Sequence, residues 1–346
     1  MARNTQSTPN ASSLVNSVQI RNFKSLKEAS LQDCKRINVL IGKPNVGKSN
    51  ILEAIGLFSL PYIKYSQSDK ITQFVKLDSL EELFFDSNTE NTIDVTTDND
   101  NLSIKLEEDD RNQQQIQIQI KTGAPNKAAI SIETNQELSV LYHTQINGDS
   151  SFRYYKFPAT ISFAKHSLTE LIPPNGVNLF QVAQRSPLKQ ELSGLFKDYR
   201  LKLLFDKTTH SLRIIKEIDD NSVVSLPFSS IADTLQRIVF FKAAITSNTN
   251  SILLFEEPEA HCFPPYIAHI TQEVIAAESN QFFIATHSPY VLNDFLERKL
   301  DELAVFFIDY QNGQTVINRL TDAELNEVYD YGIDVFFNYE RFTLHE

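Results

Sequence analysis

The sequence predicts an α/β fold in which short parallel strands bring polar residues to one edge of a sheet. Three apolar runs support this class, at residues 37–41, 251–255 and 281–285. A glycine-bounded loop and an amphipathic helix follow the first run, two glutamates follow the second, and a histidine between threonine and serine follows the third. Because the carboxyl ends of parallel strands meet at one edge, these polar groups are expected to share one site.

The first run continues in the order strand, loop, helix that a P-loop requires. Gly42 and Gly47 allow the backbone to curl so that its N–H groups point inward at an anion. Lys48 would reach the β- and γ-phosphates of a nucleotide, and the Ser49 hydroxyl would bind the Mg²⁺ that bridges them. A chance match is expected in only about one chain in a hundred, which disfavours a plain turn. The expected nucleotide contacts are Gly42, Pro44, Asn45, Val46, Gly47, Lys48, Ser49 and Asn50.

Composition limits the class of protein. The chain has 346 residues, of which 41% are apolar and 22% charged, so it is expected to be globular, with two or three structural units. No apolar run approaches the ~20 residues of a membrane span and no signal-peptide core is visible, so a cytoplasmic protein without a membrane partner is expected. Cys34 and Cys262 are expected to be reduced. The net charge of −12 argues against a protein that coats nucleic acid, although a local basic groove remains compatible with it.

About two hundred residues separate the P-loop helix from the next strand that ends in acidic residues, which indicates inserted lobes. Period-two alternation, as in residues 115–121, 129–133 and 139–146, predicts antiparallel strands with one wet face. The expected segments are a flexible tail (1–15), the first part of a nucleotide-binding head (16–60), a β-rich insertion (61–160), a helical insertion (161–228) and the second part of the head (229–346).

Charge is uneven within the two insertions. The acidic groups of the β-rich insertion, at 94–100 and 107–110, are expected to lie in solvated loops rather than in a metal site. The second insertion reads as mostly helical with a hairpin at 201–226, and its stretch 185–216 holds eight basic residues against three acidic ones. This basic stretch forms either a solvated helix face or a contact with nucleic acid or an acidic partner.

The two strand ends after the P-loop suggest catalytic roles. A buried strand that ends in two acids can hold the Mg²⁺ shell with the first, Glu256, and orient the attacking water with the second, Glu257. His287 can donate a hydrogen bond to the γ-phosphate. The alternatives are a charged turn after the strand and a structural histidine.

Four stretches together carry a family resemblance: residues 22–26, 38–42, 256–261 and 285–289. In this order they resemble the ABC-type ATPase heads of the RecF and overcoming-lysogenization-defect (OLD) group, above all the single-domain ATPases of anti-phage systems. The resemblance covers about half of the chain. It implies a P-loop NTPase fold with an ABC-type head, a mixed central sheet flanked by helices, ATP and Mg²⁺ as cofactors, and slow ATP hydrolysis.

The resemblance also implies that two heads pair and that a signature segment of one head closes the ATP site of the other. The matching segment is 227–237, so Ser229 and Ser230 are expected to contact the partner's nucleotide. Ser230 and Asp233 also form a plausible capping box for a helix with Ile231, Leu235, Ile238 and Val239 facing inward.

This chain departs from the family pattern at several positions. The glycine pair of the signature is absent, Glu256 stands where aspartate is commoner, and Phe263 stands where a polar residue is usual. The family's glutamine loop has no clear match, and Gln73 is only a guess for it. The Toprim nuclease of larger OLD proteins needs an Asp-x-Asp that is missing after His287, so no nuclease is expected in this sequence.

Three functional hypotheses follow. The first is an ATPase that forms a dimer or larger homo-oligomer and uses its nucleotide state to control a separate effector, a nuclease or toxin, in anti-phage defence. The second is a RecF-like DNA-binding ATPase clamp of DNA repair or recombination, motivated by the basic stretch. The third is a scaffold that binds ATP with negligible hydrolysis. The aromatic residues in 329–339 suggest packing or a docking surface for another protein.

Overall fold

A computed structural model of the chain describes residues 14–108, 114–121, 129–134, 138–142, 150–219 and 221–342. Most of the predicted tail, two residues of the acidic groups (109–110) and part of one predicted strand (143–146) lie outside these ranges.

The described residues form strands and helices that we number in chain order. The strands are β1 Val18–Phe23, β2 Leu26–Leu31, β3 Ile37–Ile41, β4 Ile93–Thr97, β5 Asn101–Glu108, β6 Gln114–Lys121, β7 Ala129–Thr134, β8 Val140–Tyr142, β9 Phe152–Tyr155, β10 Leu201–Asp206, β11 Ser211–Asp219, β12 Ser222–Pro227, β13 Ile252–Glu256, β14 Gln281–Ala285, β15 Leu303–Gln311 and β16 Gln314–Arg319. The α-helices are α1 Lys48–Gly56, α2 Leu179–Ala183, α3 Leu188–Leu195, α4 Asp233–Ser247, α5 Pro264–Ala276, α6 Pro289–Lys299 and α7 Asp322–Tyr331.

The central sheet has the strand order β16-β15-β3-β14-β13-β9. All neighbours pair in parallel except β15 and β16, so the carboxyl ends of β3, β14, β13 and β9 lie at one edge. The predicted α/β class with a mixed central sheet flanked by helices is confirmed. The assignment of β9 to the β-rich insertion was wrong, because this strand pairs with β13 in the central sheet. The short alternating sequence of β9 is similar to the strands of the insertion. Only long-range pairing shows that β9 belongs to the central sheet rather than to the insertion.

Both faces of the central sheet are buried, which explains why its strands read as continuous apolar runs. On one face, Leu40, Leu254 and Phe283 pack in a core with α1, β1 and β4. On the other face, alternate residues such as Val39 and Phe255 pack in a second core with α4, α5 and α6. The P-loop strand β3 therefore lies in the middle of a layered structure.

The β-rich part is an antiparallel sheet with the order β2-β1-β4-β5-β6-β7-β8. Along β6, Ile116, Ile118 and Ile120 are buried while residues between them are exposed or half-buried, as one wet face requires. β1 and β2 fall in the segment predicted as the first part of the head (16–60), yet they belong to this antiparallel sheet. Their residues have the same alternation as the insertion and pair with it, across β1 and β4.

The segment 161–228, which was predicted to be mostly helical, contains both helices and strands. Among its described residues, α2, α3 and the short turn Lys197–Tyr199 are helical, and the stretch 201–227 contributes the antiparallel sheet β10-β11-β12. The predicted hairpin is present as β10 and β11, but the helical prediction for the rest was wrong. Half-exposed strands that carry lysine and arginine lack the apolar period that distinguishes a strand from a solvated helix.

Two further observations concern the whole of the described chain. Among the described residues, every helix is too short or too polar to cross a lipid bilayer. Cys34 and Cys262 are both free thiols.

Candidate active site

The loop between β3 and α1 holds three residues in left-handed backbone conformations. Gly42, Asn45 and Gly47 have φ angles of 148°, 62° and 106°. A Cβ on Gly42 would lie 2.1 Å from the carbonyl oxygen of Ile308, and one on Gly47 would lie 2.2 Å from the hydroxyl of Thr315. Glycine is therefore required at both positions by conformation and by space.

A chain of hydrogen bonds from two other elements braces this loop. The Thr315 hydroxyl on β16 donates to the carbonyl of Val46 (2.8 Å), so it must accept from the Ser25 hydroxyl (2.7 Å). The Asn50 amide donates to the same Ser25 oxygen (2.7 Å). The side chain of Asn50, an expected nucleotide contact, is thus engaged with the scaffold. Thr315 is a supporting residue that no sequence motif indicated.

Lys48 starts α1 and points back into the loop. Its ammonium donates to the carbonyls of Gly42 (2.9 Å) and Lys43 (2.7 Å), and the residue is 5% exposed. Burial lowers the pKa of Lys48 to about 8, and the negative charge of Glu257 opposes this shift. An anion bound in this loop would replace the two carbonyls as the partner of the ammonium.

Glu256, at the end of β13, lies beside the first turn of α1. Burial raises the pKa of its carboxyl, but a hydrogen bond from Ser49, the charges of Lys76 and Lys156 and a hydrogen bond from Tyr154 together bring the pKa below its ordinary value. The Tyr154 hydroxyl donates to Glu256 Oε2 at 3.3 Å. Glu256 is therefore a carboxylate at neutral pH.

The Ser49 hydroxyl and the Glu256 carboxylate fit Mg²⁺ by the chemistry of their donors. Mg²⁺ prefers oxygen ligands and is usually held by one or two protein groups together with substrate phosphates and waters. Within the described ranges, no cluster of three or more His, Cys, Asp or Glu side chains could hold a metal by itself. The pair thus suits an ion that arrives with a nucleotide.

Glu257 and His287 meet at the ends of β13 and β14. Glu257 has a φ of 44°, unusual for a non-glycine residue and often found in functional sites, and its N–H donates to the carbonyl of Ala285 (2.9 Å). His287 Nε2 lies 3.4 Å from Glu257 Oε1. Burial and the charge of Lys48 lower the pKa of His287 against the opposing effect of Glu257, so the imidazole is neutral at pH 7. Lys48, Glu257 and His287 therefore lie within electrostatic reach of one another.

Glu259 supports the position of His287 through hydrogen bonds, a role that sequence reasoning missed. Its buried carboxyl accepts hydrogen bonds from the Thr286 hydroxyl and from the His287 N–H (3.3 Å). Burial raises the pKa of Glu259 despite these hydrogen bonds. The residue positions the backbone of His287, and its place in the acidic motif was the only available signal.

Ser229 and Ser230 lie in the short turn Phe228–Ser230, and both are exposed. The predicted capping box was wrong: α4 begins at Asp233 after Ala232, with no side-chain cap, and the Asp233 carboxylate pairs with Arg237 (2.7 Å). Two extended residues between the turn and the helix place Ser230 too early to cap it. The inward face is present, since Leu235, Ile238 and Val239 are buried, whereas Ile231 is half-buried before the helix.

Gln73 makes its described hydrogen bonds with Ser66, Ser68 and Asn175 rather than with Ser49 or Glu256. The candidate for the glutamine loop thus has no contact with the metal pair among the described side chains. Phe263 is 64% exposed after the acidic motif.

The aromatic stretch near residue 339 reaches the P-loop. The Lys43 ammonium lies 3.5 Å from the centre of the Tyr339 ring, a cation–π contact. Val335 and Phe342 are buried, while Tyr331 and Phe337 are mostly exposed. This stretch combines core packing with an exposed aromatic surface.

Comparison with protein families gives one match over much of the chain. The model of the AAA ATPase domain family AAA_15 matches residues 14–221, which is more than half of the sequence.

Two curated proteins are similar over shorter stretches. An uncharacterized protein of Methanocaldococcus jannaschii, MJECL10, is 30% identical over 89 residues, which are 24% of this chain and 41% of that protein. The DNA replication and repair protein RecF of Caldanaerobacter subterraneus subsp. tengcongensis is 38% identical over 66 residues, 19% of this chain and 17% of that protein. The chain thus matches less than half the length of these relatives.

Heads of SMC proteins are among the similar solved structures. The Smc head of Pyrococcus furiosus bound to the C-terminal domain of ScpA aligns over 92% of this chain and 98% of that one, with a TM-score of 0.49 and 10% identity. The SMC head domain of Thermotoga maritima aligns over 89% and 99%, with a TM-score of 0.40 and 12% identity.

Proposed function

Because the chain belongs to the AAA_15 family of AAA ATPase domains, we propose that it binds ATP with Mg²⁺ and hydrolyses it to ADP and phosphate. The observation that supports this most directly is the meeting of three strand ends. Lys48, Glu257 and His287 follow β3, β13 and β14 and interact electrostatically at one edge of the central sheet, and Glu256 ends β13 beside them.

Each residue has a proposed task in hydrolysis. The loop N–H groups, the start of α1 and the Lys48 ammonium bind the β- and γ-phosphates. The Ser49 hydroxyl and Glu256 hold Mg²⁺, which, when bound, neutralises charge that develops on the phosphates. Glu257 orients the attacking water, and His287 Nε2, which lies 3.4 Å from Glu257 Oε1, donates either to that carboxylate or to the γ-phosphate. Since His287 is neutral, it carries one N–H for one of these partners at a time.

Replacing the water-orienting carboxylate tests hydrolysis separately from binding. Glu257→Gln should bind ATP as the parent does but release phosphate at least about tenfold more slowly, or ~1.4 kcal/mol at the barrier. Glu278→Gln, which changes an exposed glutamate after α5, is the matched control and should keep the parent rate. Equal rates in parent and Glu257→Gln would remove Glu257 from this role and favour the scaffold hypothesis, and a parent that binds no ATP would remove the proposal.

Assembly through the heads is the second part of the proposal. Ser229 and Ser230 would contact the nucleotide held by another copy, in a dimer or larger homo-oligomer. The support is their exposure, together with the uncapped start of α4 close by, whose free N–H groups favour an anion. The absence of the glycine pair makes slow turnover the expected behaviour.

Control of a separate effector is the third part. The likeness to anti-phage ATPases motivates a nuclease or toxin partner that is held or released according to the nucleotide state. A pull-down of the tagged chain from its native host, with ATP and without it, tests this directly. A partner that is retained in one state only supports the idea, and the absence of any partner in both states counts against it.

A DNA-binding clamp is the second candidate function. The match to RecF favours it. The basic stretch also favours it, since Lys197, Arg200 and Lys202 line a cavity of about 590 Å³ beside β10. Duplex DNA should then stimulate the ATPase, and reversing these three charges should abolish the stimulation. If no DNA stimulates the ATPase of the parent chain, the clamp is ruled out.

The neighbouring gene also separates the two hypotheses. A nuclease or toxin gene next to this one would favour the effector hypothesis.

A further inference from the structure

A cluster of three lysines and two carboxylates lies beside the Ser49–Glu256 pair. Glu53 is one turn after Ser49 on α1 and is 1% exposed. Its two oxygens contact the ammonium groups of Lys24 (2.5 Å) and Lys156 (3.3 Å). The ammonium of a third lysine, Lys76, lies 3.5 Å from Glu256 Oε1. The lysines thus carry one positive charge more than the two carboxylates neutralise.

Lys156 is fixed in this cluster. It directly follows β9, whose Tyr155 pairs with Phe255, so it lies next to Glu256 at the shared edge of the sheet. Its side chain is 16% exposed, and the ammonium also donates to the carbonyl of Phe74 (2.8 Å). Its departure would leave the buried Glu53 carboxylate without this counter-ion, which is costly, so Lys156 stays in place whatever binds at Glu256.

Lys76 differs because only its backbone is fixed. Its N–H donates to Glu53 (3.0 Å) and its carbonyl accepts from the Lys24 ammonium (2.6 Å), while its side chain is 71% exposed. An exposed lysine side chain has many accessible rotamers and a well-hydrated ammonium. It can therefore exchange between Glu256 and solvent with no movement of the segment that carries it.

We propose that Lys76 is a resident counter-ion of Glu256 that Mg²⁺ displaces when it binds with the nucleotide. The inference rests on the proposed function, since it requires Mg²⁺ at Ser49 and Glu256. Mg²⁺ and the Lys76 ammonium are attracted by the same carboxylate and repel each other, so the ion binds against this competition. Before the metal binds, the Lys76 ammonium pairs with the Glu256 carboxylate. The same pairing lowers the affinity of Glu256 for Mg²⁺.

The test uses Mn²⁺ as the probe ion and measures free Mn²⁺ by electron paramagnetic resonance in the presence of a non-hydrolysable ATP analogue. Lys76→Gln should bind Mn²⁺ about three- to fivefold more tightly than the parent, the size expected for an exposed ion pair. Lys105→Gln removes an exposed lysine on β5 and should leave Mn²⁺ affinity unchanged. In a Glu256→Gln background, Lys76→Gln should have no further effect, because the carboxylate for which the two cations compete is gone.

The outcomes separate this inference from the proposed function. Equal or weaker Mn²⁺ binding by Lys76→Gln, with the analogue bound as in the parent, overturns the counter-ion role alone. A gain that persists in the Glu256→Gln background also overturns it, because the effect would then not act through this carboxylate. A parent chain that binds no analogue removes both the inference and the ATP-binding proposal.

Discussion

Lys48 illustrates how the fold changes the chemistry of a single residue. Burial lowers the pKa of its ammonium to about 8, so a part of the free protein carries a neutral Lys48 at slightly alkaline pH. A bound triphosphate would restore the proton, because a nearby negative charge favours the charged amine. Nucleotide binding should therefore be coupled to proton uptake.

This coupling predicts a pH dependence of ATP affinity. Above about pH 8 the free protein loses the Lys48 proton and the complex keeps it, so the Kd should rise by up to about tenfold per pH unit. Below about pH 7 both forms are protonated at Lys48 and this contribution disappears. Calorimetry at about pH 8.5, in two buffers with different ionisation enthalpies, measures the protons taken up. A Kd that stays constant from about pH 7 to 9.5 contradicts the coupling.

Sequence analysis identified those residues of the candidate site that follow strand ends at fixed spacing. Lys48, Glu256 and His287 could be selected because each motif is local and its strand is an apolar run. Thr315 and Glu53 could not, because their contacts with the loop and with the lysines depend on which distant strands become neighbours. A buried glutamate in an amphipathic helix has no sequence signature that separates it from an exposed one.

At the scale of elements, the packing of α1 against β9 determines the position of one side chain that contacts the site. Gly56 ends α1 against the ring of Tyr154, and a Cβ there would lie 2.3 Å from a ring carbon. The hydroxyl of the same tyrosine donates to Glu256. Close approach of helix and strand is thus what lets Tyr154 reach the Glu256 carboxylate.

We predict that Gly56→Ala destabilises the protein by about 1–3 kcal/mol, because an aromatic ring between two elements cannot yield without shifting its surroundings. Urea unfolding measures this change. Gly194→Ala is the matched control, since Gly194 lies in α3 with no heavy atom within 4 Å of an added Cβ, and it should be neutral or stabilising by up to ~1 kcal/mol. Similar stabilities of the two variants would show that the ring moves aside freely.

Elements were predicted well where their period was strong and their partners were local. The predicted strands at 115–121 and 129–133 are present as β6 and β7, and the P-loop helix follows its loop directly. The loop prediction for the acidic groups was wrong for Asp94, which lies in β4, and for Glu107 and Glu108, which lie in β5. The failures concern sheet membership, as for β1 and β9, and the exposed strands β10–β12. Membership depends on long-range pairing that leaves no trace in the strand's own sequence.

For the whole molecule, assembly through the heads predicts complementation between two inactive variants. Lys48→Ala should inactivate the P-loop, and Ser230→Arg should block the segment that reaches the partner. A mixed dimer would contain one site built entirely from unaltered parts, so an equal mixture should regain about a quarter of the parent ATPase rate. Each variant alone is the control. No recovery on mixing, with mixed dimers shown to form, contradicts closure in trans.

The position of β3 has a consequence for biosynthesis. Its neighbours β14 and β15 are encoded roughly 240 residues downstream, so at about 5–20 residues per second the ribosome delivers them some 10–50 s after β3 emerges. During that interval the nascent strand has neither of its sheet partners, and its apolar residues are available to chaperones or to aggregation. Nucleotide capture should therefore be among the last events of maturation, and bound ATP would report that the chain has finished folding.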